Sequence, residues 1–487
     1  MNDLKTIRGM PDLYGENIEA ISMIEEACLK TFKSFNYQEF RTPLLENSAL
    51  FSRSIGLTSD IVQKEMYEFK DKKGERLCMR PEGTAGLVRA LITNRLDDEE
   101  IKKFFYIGPM FRYERPQKGR KRQFFQAGIE LIGDRSINSD IEIILVAKKI
   151  LDELNIKYNL QVNYLGSVAE IEEYSAYLEE FMQNKGVISG KEKLLAEVVV
   201  KIDRAQKEIA VAESEIKDIK EGRMVDEEAR SRGDMLASDA AKGEFQKLSK
   251  KLEYSFKELA YLLDKKNQLL QETSAIRALD SKLEESKNLF KKARTLDTFL
   301  SKEKKQEFES IKAKLDELEI GYSVNSKLVR GLDYYNGLVF EFVSDDLGSQ
   351  NAVLAGGRYD GLIKNLGGRD LPATGFALGI DRIAEIVKTE SIERDVFIGC
   401  VDEESRTYAQ ALGYKIRENN SSLIVENYLG NANVGKQMKK ADSQGFKFAI
   451  IVGQDELKSK TLKLKNLRED EPDLELTEKD LLEHFEC

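Results

Sequence analysis

The fold is decided by a stretch in the first third of the chain, Phe111-Arg112-Tyr113-Glu114-Arg115-Pro116-Gln117-Lys118-Gly119-Arg120-Lys121-Arg122-Gln123-Phe124. It joins two runs, residues 104–112 and 124–132, that are rich in aromatic and aliphatic residues. Such runs favour strands, and a short polar connection between them is typical of a β-hairpin. The sequence therefore predicts two antiparallel strands that are joined by a basic loop.

The loop concentrates positive charge on one short segment. Within eleven residues it carries Arg112, Arg115, Lys118, Arg120, Lys121 and Arg122. Like charges repel, so this density indicates an anionic partner, and the planar guanidinium group suits phosphate. We interpret the loop as a site for phosphate or RNA, with an ordinary solvated basic loop as the alternative.

Polar side chains near the same strands indicate a second part of a site. Gln126 and Glu130 are four residues apart, so both face one side of a strand. Glu82 and Thr84 lie upstream. A cross-strand polar pair on a solvated face would explain Gln126 and Glu130 equally well. Glycines at 356–357 and 375–379 could let a backbone approach a nucleotide, although neither stretch matches a P-loop or a dinucleotide fingerprint.

The composition bounds the class of protein. The chain has 487 residues, 41% of them hydrophobic and 33% charged, and a net charge of −10. The charged fraction exceeds the usual value of about 25% and predicts long solvated helices. An acidic total means that a nucleic acid would have to be bound by a local basic patch.

Cysteine and histidine usage excludes several kinds of site. The four cysteines, Cys28, Cys78, Cys400 and Cys487, are scattered, which favours reduced thiols over a zinc site or a disulfide framework. The single histidine, His484, excludes a histidine-based catalytic triad. We find neither the apolar run of a signal peptide nor about 20 consecutive apolar residues, so we expect a cytoplasmic protein.

The pattern divides the chain into four stretches. Residues 1–165 mix helices and strands, and a helix over 18–35 should bury Ile21, Ile24, Ala27, Cys28 and Phe32. Residues 166–320 lack proline and are rich in charge, which indicates a helical insertion. Strands and glycines return in 321–390. The last stretch, 395–487, alternates strand and helix, with strands at 396–401, 422–426 and 446–452 and helices at 406–417 and 435–445. It predicts a small α/β domain.

Within the insertion, apolar residues follow heptad spacing. One seam runs through Leu195, Val198, Ile202, Ala205, Ile209, Ala212, Ile216 and Ile219. A looser one runs through Phe245, Leu248, Leu252, Phe256, Leu259, Leu263 and Leu270. The polar segment 221–243 between them should hold the turn. We predict an antiparallel coiled-coil arm over about 194–270, with helices of about 26 residues that span about 40 Å. The arm is either an inert extension or a surface for tRNA or a partner subunit near Arg223, Arg230 and Arg232.

Several longer motifs are specific enough to indicate a family. The segment that ends at Pro43, the basic hairpin and Gly375-Phe376-Ala377-Leu378-Gly379-Ile380-Asp381-Arg382 resemble, in that order, the three class II aminoacyl-tRNA synthetase motifs. The opening Arg8-Gly9-Met10-Pro11-Asp12 is similar to the start of the histidine-specific members. Two more stretches are similar to signatures of the histidine-specific members: Leu328-Val329-Arg330-Gly331-Leu332-Asp333-Tyr334-Tyr335 and Ala355-Gly356-Gly357-Arg358-Tyr359-Asp360-Gly361-Leu362. The chain thus resembles the histidyl-tRNA synthetase family over nearly its whole length.

The resemblance implies an α+β fold. It consists of the class II antiparallel sheet core, the helical coiled-coil insertion and a C-terminal α/β anticodon-binding domain. It implies ligation of histidine to its tRNA through a histidyl-adenylate. ATP would enter with Mg²⁺ as a substrate complex, without a tightly bound cofactor, and the enzyme would be a homodimer.

The resemblance also implies roles for individual residues. Arg112 and Arg330 would be catalytic at the α-phosphate, and ATP would be bound by Arg112, Glu114, Arg330 and Arg382. Histidine would be bound by Glu82, Thr84, Gln126, Glu130, Tyr334, Tyr335 and Tyr359. The acceptor end of tRNA would be read by Arg115 and Gln117. No metal would be held by protein side chains alone.

Three positions depart from the family pattern. Asp381 stands where the third motif often has glutamate, which keeps the charge and shortens the reach. Tyr113 and Phe125 stand where histidine is frequent. A chain with one histidine can be made when histidine is scarce, but the absence of tryptophan and the rarity of proline are also explained by a biased genome.

Two other classes of protein remain as alternatives. The regulatory subunit of ATP phosphoribosyltransferase resembles the synthetase core, but it lacks the anticodon domain and the arginine-bearing signature. This chain has Arg330 and a C-terminal stretch beyond the core. A coiled-coil scaffold would explain the heptads and would leave the phosphate-binding arginines without a purpose.

Overall fold

A computed structural model describes residues 4–56, 59, 61–116, 119–185, 187–220, 239–273, 292–348, 351–388 and 394–486. The chain separates into two compact units, Met1–Lys388 and Thr389–Cys487. Among the described residues, no helix is both long and apolar enough to span a membrane.

The first unit contains two antiparallel-rich sheets. Its strands are β1 Gln38–Glu39, β2 Leu45–Asn47, β3 Tyr67–Lys70, β4 Arg76–Met79, β5 Lys102–Phe111, β6 Gln123–Ile132, β7 Asn159–Tyr164, β8 Tyr322–Val324, β9 Asn336–Val343, β10 Ala352–Arg358 and β11 Ala373–Gly379. The large sheet has the order β1-β5-β6-β11-β10-β9-β7-β8, and the small one β2-β4-β3. Only the two outer pairs of the large sheet, β1 with β5 and β7 with β8, are parallel. The α+β class predicted from the sequence is confirmed.

The first unit also contains α-helices. They are α1 Glu16–Ser34, α2 Ser48–Ile55, α3 Thr84–Thr93, α4 Ile137–Glu153, α5 Val168–Asn184, α6 Val187–Lys220, α7 Asp239–Thr273, α8 Lys302–Glu317, α9 Leu362–Asn365 and α10 Ile380–Ile383. The face predicted for the first helix is buried from Ile21 to Phe32. Phe32 is fully buried, with its ring 5.2 Å from that of Phe105 and 6.4 Å from that of Phe376. Each such side chain stabilises the fold by about 1.5–3 kcal/mol relative to exposure.

The predicted hairpin is confirmed as β5 and β6. Phe104 lies opposite Glu130 and Gly108 opposite Gln126, so the pairing runs to Phe111 and Gln123. This register carries the basic loop to the end of two central strands. The loop therefore projects from a rigid part of the sheet.

Two of the motif glycines serve close strand packing rather than an approach to nucleotide. A Cβ atom on Gly375 would collide with the carboxylate of Glu130, its cross-strand neighbour. A Cβ on Gly356 would collide with the carbonyl of Gly375. Of the described glycines in the stretches 356–357 and 375–379, only Gly379, at the end of β11, lines the cavity described below. Gly356 and Gly375 therefore allow close strand packing, whereas Gly379 forms part of the cavity wall.

The insertion contains two long helices that pack against each other, α6 with 34 residues and α7 with 35. Each spans about 50 Å at 1.5 Å per residue, longer than predicted. Val198, Ile202 and Ala205 share a core with Leu259 and Leu262 near the far end of α7. Lys207 and Val211 lie beside Lys251, closer to its start, so the helices are antiparallel.

The second seam was predicted in the wrong register at two positions. Phe256 and Leu263 are 48% and 39% exposed, whereas their neighbours Ser255 and Leu262 are buried. In the first seam, Val198, Ile202, Ala205, Ile209, Ala212 and Ile219 are buried, as predicted. The segment predicted to hold the turn is 221–243. Its part 221–238, with Arg223, Arg230 and Arg232, lies outside the described residues, whereas 239–243 belong to α7, which begins at Asp239.

The second unit is a mixed five-stranded sheet with helices. Its strands are β12 Arg394–Cys400, β13 Val425–Asn427, β14 Phe446–Val452, β15 Thr461–Asn466 and β16 Leu474–Thr477, in the order β13-β12-β14-β15-β16. Its helices are α11 Glu403–Asn419, α12 Val434–Ser443, α13 Gln454–Ser459 and α14 Glu478–His484. The first three strands and two helices match the predicted alternation. The antiparallel addition of β15 and β16 was not predicted.

Candidate active site

One cavity of about 260 Å³ opens on the face of the large sheet and gathers most of the predicted site residues. It is lined by the hairpin loop, the start of α3, the segment before β9 and the strands β10 and β11. The candidate ATP ligands that line it are Arg112, Glu114, Arg330 and Arg382. The candidate histidine ligands that line it are Glu82, Thr84, Gln126, Tyr334 and Tyr335. Residues from distant parts of the chain thus converge on one volume.

Glu130 and Tyr359 lie behind the cavity wall. Both are 1% exposed. The Thr84 hydroxyl donates to Glu130 Oε1 over 2.7 Å, and the Tyr359 hydroxyl donates to Glu130 Oε2. Burial raises the pKa of Glu130 to about 8. The alternative of a polar pair on a solvated face is therefore wrong for Glu130.

Glu82 holds the start of α3. Its two carboxylate oxygens accept from the backbone N–H of Thr84 over 2.7 Å and of Ala85 over 2.8 Å. It thereby satisfies two of the amides that a helix start leaves open. Burial raises the pKa of Glu82, against the opposing effect of these hydrogen bonds and of Arg112. The arrangement fixes an acceptor at the cavity wall beside Thr84.

Arg112 is oriented by contacts on two sides. Its Nε donates to the Pro81 carbonyl over 2.9 Å, and its guanidinium carbon lies 5.2 Å from the centre of the Phe124 ring. The Glu114 carboxylate lies 4.0 Å from the Arg112 guanidinium and 3.0 Å from that of Arg120. The loop therefore presents a carboxylate flanked by two arginines.

Arg382 adds a further cation. Its Nη1 donates to the Ala352 carbonyl over 2.9 Å. Burial, followed by the neighbouring charge of Arg120, lowers its pKa. Clustered guanidinium groups that repel one another are stabilised by an anion, which fits the polyphosphate of a nucleotide.

Asp381, the position that departs from the third motif, joins that motif to the hairpin. It is 5% exposed, its Oδ1 lies 2.7 Å from Lys121 Nζ, and its Oδ2 accepts from the Phe125 backbone. The aspartate therefore reaches both partners across the hairpin base. Lys121 also lines the cavity.

The arginine of the second histidine-type signature does not line the cavity. Arg358 is 4% exposed and pairs with Asp140 at 3.0 Å. It also donates to the carbonyl oxygens of Asp134 and Ser136 and to the hydroxyl of Ser139. Burial raises the pKa of Asp140 to about 6. Arg358 therefore holds the start of α4 in place and is not positioned to bind a ligand in the cavity.

Sequence reasoning missed Glu341, which lines the cavity and forms an ion pair with Arg330. The available signal was a single charged residue within the strand Asn336–Val343, in which only Asn336 is also polar. Of the two candidate tRNA ligands, Arg115 is exposed on the loop, whereas Gln117 lies outside the described residues. Other chemistry-bearing residues lie elsewhere: Cys28, Cys78 and Cys400 are buried, and His484 packs edge-on against Phe448 and Phe485.

Known protein families and solved structures are similar to this chain over nearly its whole length. A family profile described as histidyl-tRNA synthetase matches residues 9–254 and 234–383, and one described as an anticodon binding domain matches 395–486. A histidine–tRNA ligase of Hydrogenovibrio crunogenus is 35% identical over 96% of this chain and 94% of its own length. That of a Marinomonas species is 34% identical over 95% of this chain and 94% of its own. The apo histidyl-tRNA synthetase structure of S. aureus superposes with a TM-score of 0.68 at 27% identity, covering 99% of this chain and 100% of that one.

Proposed function

The chain belongs to the histidyl-tRNA synthetase family, and we propose that the cavity on its large sheet is where histidine and ATP react. The protein is a histidine–tRNA ligase, a class II enzyme that joins histidine to tRNA through an adenylate. The observation that carries the proposal is the convergence of four arginines, Arg112, Arg120, Arg330 and Arg382, with the acceptors Glu82, Thr84 and Gln126 in one cavity.

The chemistry explains why arginines are needed. An oxygen of the histidine carboxylate attacks the α-phosphorus of ATP, and the bond to the β-phosphate breaks as pyrophosphate leaves with its electron pair. The carboxylate is already ionised, so no general base is required. Two anions must meet, and preorganised cations stabilise the charge that develops. We assign Arg112 and Arg330 to the α-phosphate and Arg382 to the γ-phosphate.

The remaining ATP contact concerns the base. Glu114 would accept from the adenine amino group, and its flanking arginines hold it in place. ATP would enter as its Mg²⁺ complex. Among the described residues, no three Asp, Glu, His or Cys side chains converge as a ligand set, and Mg²⁺ is commonly bound through substrate phosphates.

The histidine substrate is matched by acceptors and aromatic rings. Its α-ammonium group would donate to Glu82, Thr84 and Gln126; the buried Oε1 of Gln126 accepts no hydrogen bond within the described residues. The imidazole would lie against Tyr334 and Tyr335, whose ring centres are 4.7 Å apart. Glu130 would recognise an imidazole nitrogen with Tyr359 behind it. A neutral imidazole offers one donor and one acceptor, which suits a carboxyl group beside hydroxyls.

The tRNA would contact two parts of the chain. Arg115 and Gln117 of the hairpin loop would read the acceptor end, and the family profile over 395–486 assigns the second unit to the anticodon. A homodimer built through the segment that ends at Pro43 remains a prediction of the family resemblance, and a cytoplasmic location remains a prediction of the sequence pattern.

A pyrophosphate-exchange assay tests the proposal. The purified protein should exchange labelled pyrophosphate into ATP when histidine is supplied and not with the other amino acids. It should then transfer histidine to tRNA. A phosphoribosyltransferase regulatory subunit or a scaffold would show no exchange, and that result would refute the proposed site.

A further inference from the structure

Glu341 occupies a rigid position at the cavity. It lies on β9, where it is opposite Gln161 of β7 and Ala355 of β10, so its backbone is held on both sides. It is the only residue of that strand that is not fully buried. Its side chain is 21% exposed and points into the cavity. A carboxylate here is fixed by the sheet rather than by a loop.

Arg330, by contrast, lies on an irregular segment between β8 and β9. The backbone of this segment is anchored two residues earlier, where Leu328 is buried and its carbonyl accepts from Asn163 Nδ2 over 2.8 Å. Beyond that anchor, the described contacts of the guanidinium are the ion pair with Glu341 and the Tyr335 ring, whose centre is 5.9 Å away. The direction of the arginine thus depends on the glutamate.

We infer that Glu341 is a positioning residue that orients Arg330 for the α-phosphate. The carboxylate engages Nη1, whereas the buried Nε finds no hydrogen-bond partner within the described residues. A guanidinium group has five N–H donors in a rigid plane. Fixing one corner of that plane aims the other donors at a single place, where they can bind two phosphate oxygens. The inference rests on the proposed role of Arg330.

The negative charge of Glu341 allows an orienting role to be distinguished from a purely neutralising one. A carboxylate beside a phosphate site repels the substrate and weakens the field of the arginine. A residue that only neutralised Arg330 would reduce catalysis, and its removal would leave activity equal or higher. A residue that orients Arg330 has the opposite effect, because misplacing a catalytic group by about 1 Å costs about 100-fold in rate. Removal of Glu341 therefore lowers the rate if it orients Arg330, and leaves the rate equal or higher if it only neutralises Arg330.

A double-mutant cycle on histidine activation tests this. Pyrophosphate exchange is measured for wild type, Glu341→Gln, Glu341→Ala, Arg330→Ala and Arg330→Ala/Glu341→Ala, with kcat and both KM values determined at several Mg²⁺ concentrations. We expect Glu341→Ala to lower kcat about 100-fold, with each KM changed less than about threefold. We expect Glu341→Gln to retain part of the activity, because its amide oxygen still accepts from Nη1. In the Arg330→Ala background, loss of Glu341 should have no further effect, since its action passes through the arginine.

Glu307→Gln is the matched control. Glu307 pairs with Lys304 at 2.7 Å on α8 and is 23% exposed, close to the exposure of Glu341. This variant should keep the wild-type rate. Thermal unfolding of every variant shows whether a loss of activity follows from a loss of fold.

Three results would overturn the inference. Unchanged or faster activation in Glu341→Ala would mean that the carboxylate only neutralises Arg330. Additive losses in the double variant, or recovery of Glu341→Gln at high Mg²⁺, would mean that Glu341 acts on the substrate complex directly. If Arg330→Ala itself keeps full activity, the proposed function of Arg330 fails. If Arg330→Ala is impaired while Glu341→Ala is not, only the inference about Glu341 fails.

Discussion

Arg330 and Arg358 lie in the two stretches that most resemble the histidine-specific enzymes, yet their surroundings are opposite. Arg330 is 20% exposed, lines the cavity and pairs with one carboxylate. Arg358 is 4% exposed, and its donors are used by Asp140 and by oxygens at the start of α4. The difference teaches that a distinctive motif arginine can line a cavity or hold a helix start, according to where its donors point.

The second stretch still contributes to the proposed histidine pocket, through the residue that follows Arg358. Tyr359 donates to Glu130, which Thr84 also contacts from the cavity side. Each stretch therefore combines one arginine with one or two pocket tyrosines. The predictions below separate these contributions, beginning with the largest.

Replacing Glu130 with glutamine should have the largest effect. We expect kcat/KM for histidine to fall about 10⁴-fold, because a buried polar group matched to the substrate is lost. The KM for ATP should stay nearly constant, since Glu130 lies behind the amino-acid half of the cavity. Steady-state pyrophosphate exchange measures both values. Unchanged histidine kinetics would refute the pocket assignment.

Arg358→Ala should act on stability rather than on chemistry. It leaves Asp140 as a buried charge without its partner, which costs about 3–5 kcal/mol. Urea unfolding measures this loss. Arg135→Ala is the control. The Arg135 side chain is 60% exposed, so its ion pairs with Asp360 and Asp370 should contribute only about 0–1 kcal/mol to stability. Equal stabilities of the two variants would contradict a structural role for Arg358.

Arg330→Ala should show the reverse pattern. We expect the barrier to activation to rise by about 2.7–4 kcal/mol, the cost of removing one preorganised donor. Most of it should appear in kcat rather than in the KM for ATP, because the charge that it stabilises grows during transfer. Urea unfolding should stay near that of wild type. Near-normal activation kinetics would show that Arg330 does not act at the α-phosphate.

The pH dependence of stability should report on Glu130. Its folded pKa is raised to about 8 from an ordinary value of 4.5. Between these values the folded protein holds a proton that the unfolded chain has released. Stability therefore falls as the pH rises through this window, by up to about 1.4 kcal/mol per pH unit.

Glu130→Gln removes the pH dependence of stability that Glu130 contributes. Asp140 titrates in both proteins, so its contribution cancels in the difference between them. The measurement is the difference in unfolding free energy between wild type and the variant at several pH values from about 5.5 to 8. We expect wild type to lose stability relative to the variant across this range. Parallel curves would mean that Glu130 ionises normally in the fold.

Deleting the arm tests whether the site formed by the two stretches is complete without it. Residues 196–268 are replaced with a short glycine linker. Histidine activation should persist, because the cavity-lining residues lie outside this segment. We expect the KM for tRNA to rise about tenfold, equivalent to about 1.4 kcal/mol. If tRNA charging is also unchanged, the arm is inert in aminoacylation.

The arm shows where sequence patterns lose precision. Positions 255 and 256, like 262 and 263, are neighbours on the helix, so a three-four spacing can be drawn through either pair. Hydrophobicity favours Phe256 over Ser255 and does not distinguish Leu262 from Leu263, whereas the geometry of the partner helix buries Ser255 and Leu262. A seam is a property of two helices, and one sequence stretch specifies only its approximate face.

The sequence by itself determined the hairpin, the buried face of the first helix, the α+β class and the family, because these depend on periodicity and on contiguous motifs. Only the tertiary structure decided that Arg330 faces the cavity while Arg358 is buried, and that Glu341 stands beside Arg330. It also placed Glu130 behind the cavity wall and Asp381 at the base of the hairpin. Such contacts join residues that are distant in the chain. Their direction depends on strand register and on how neighbouring side chains fill space, which no local pattern encodes.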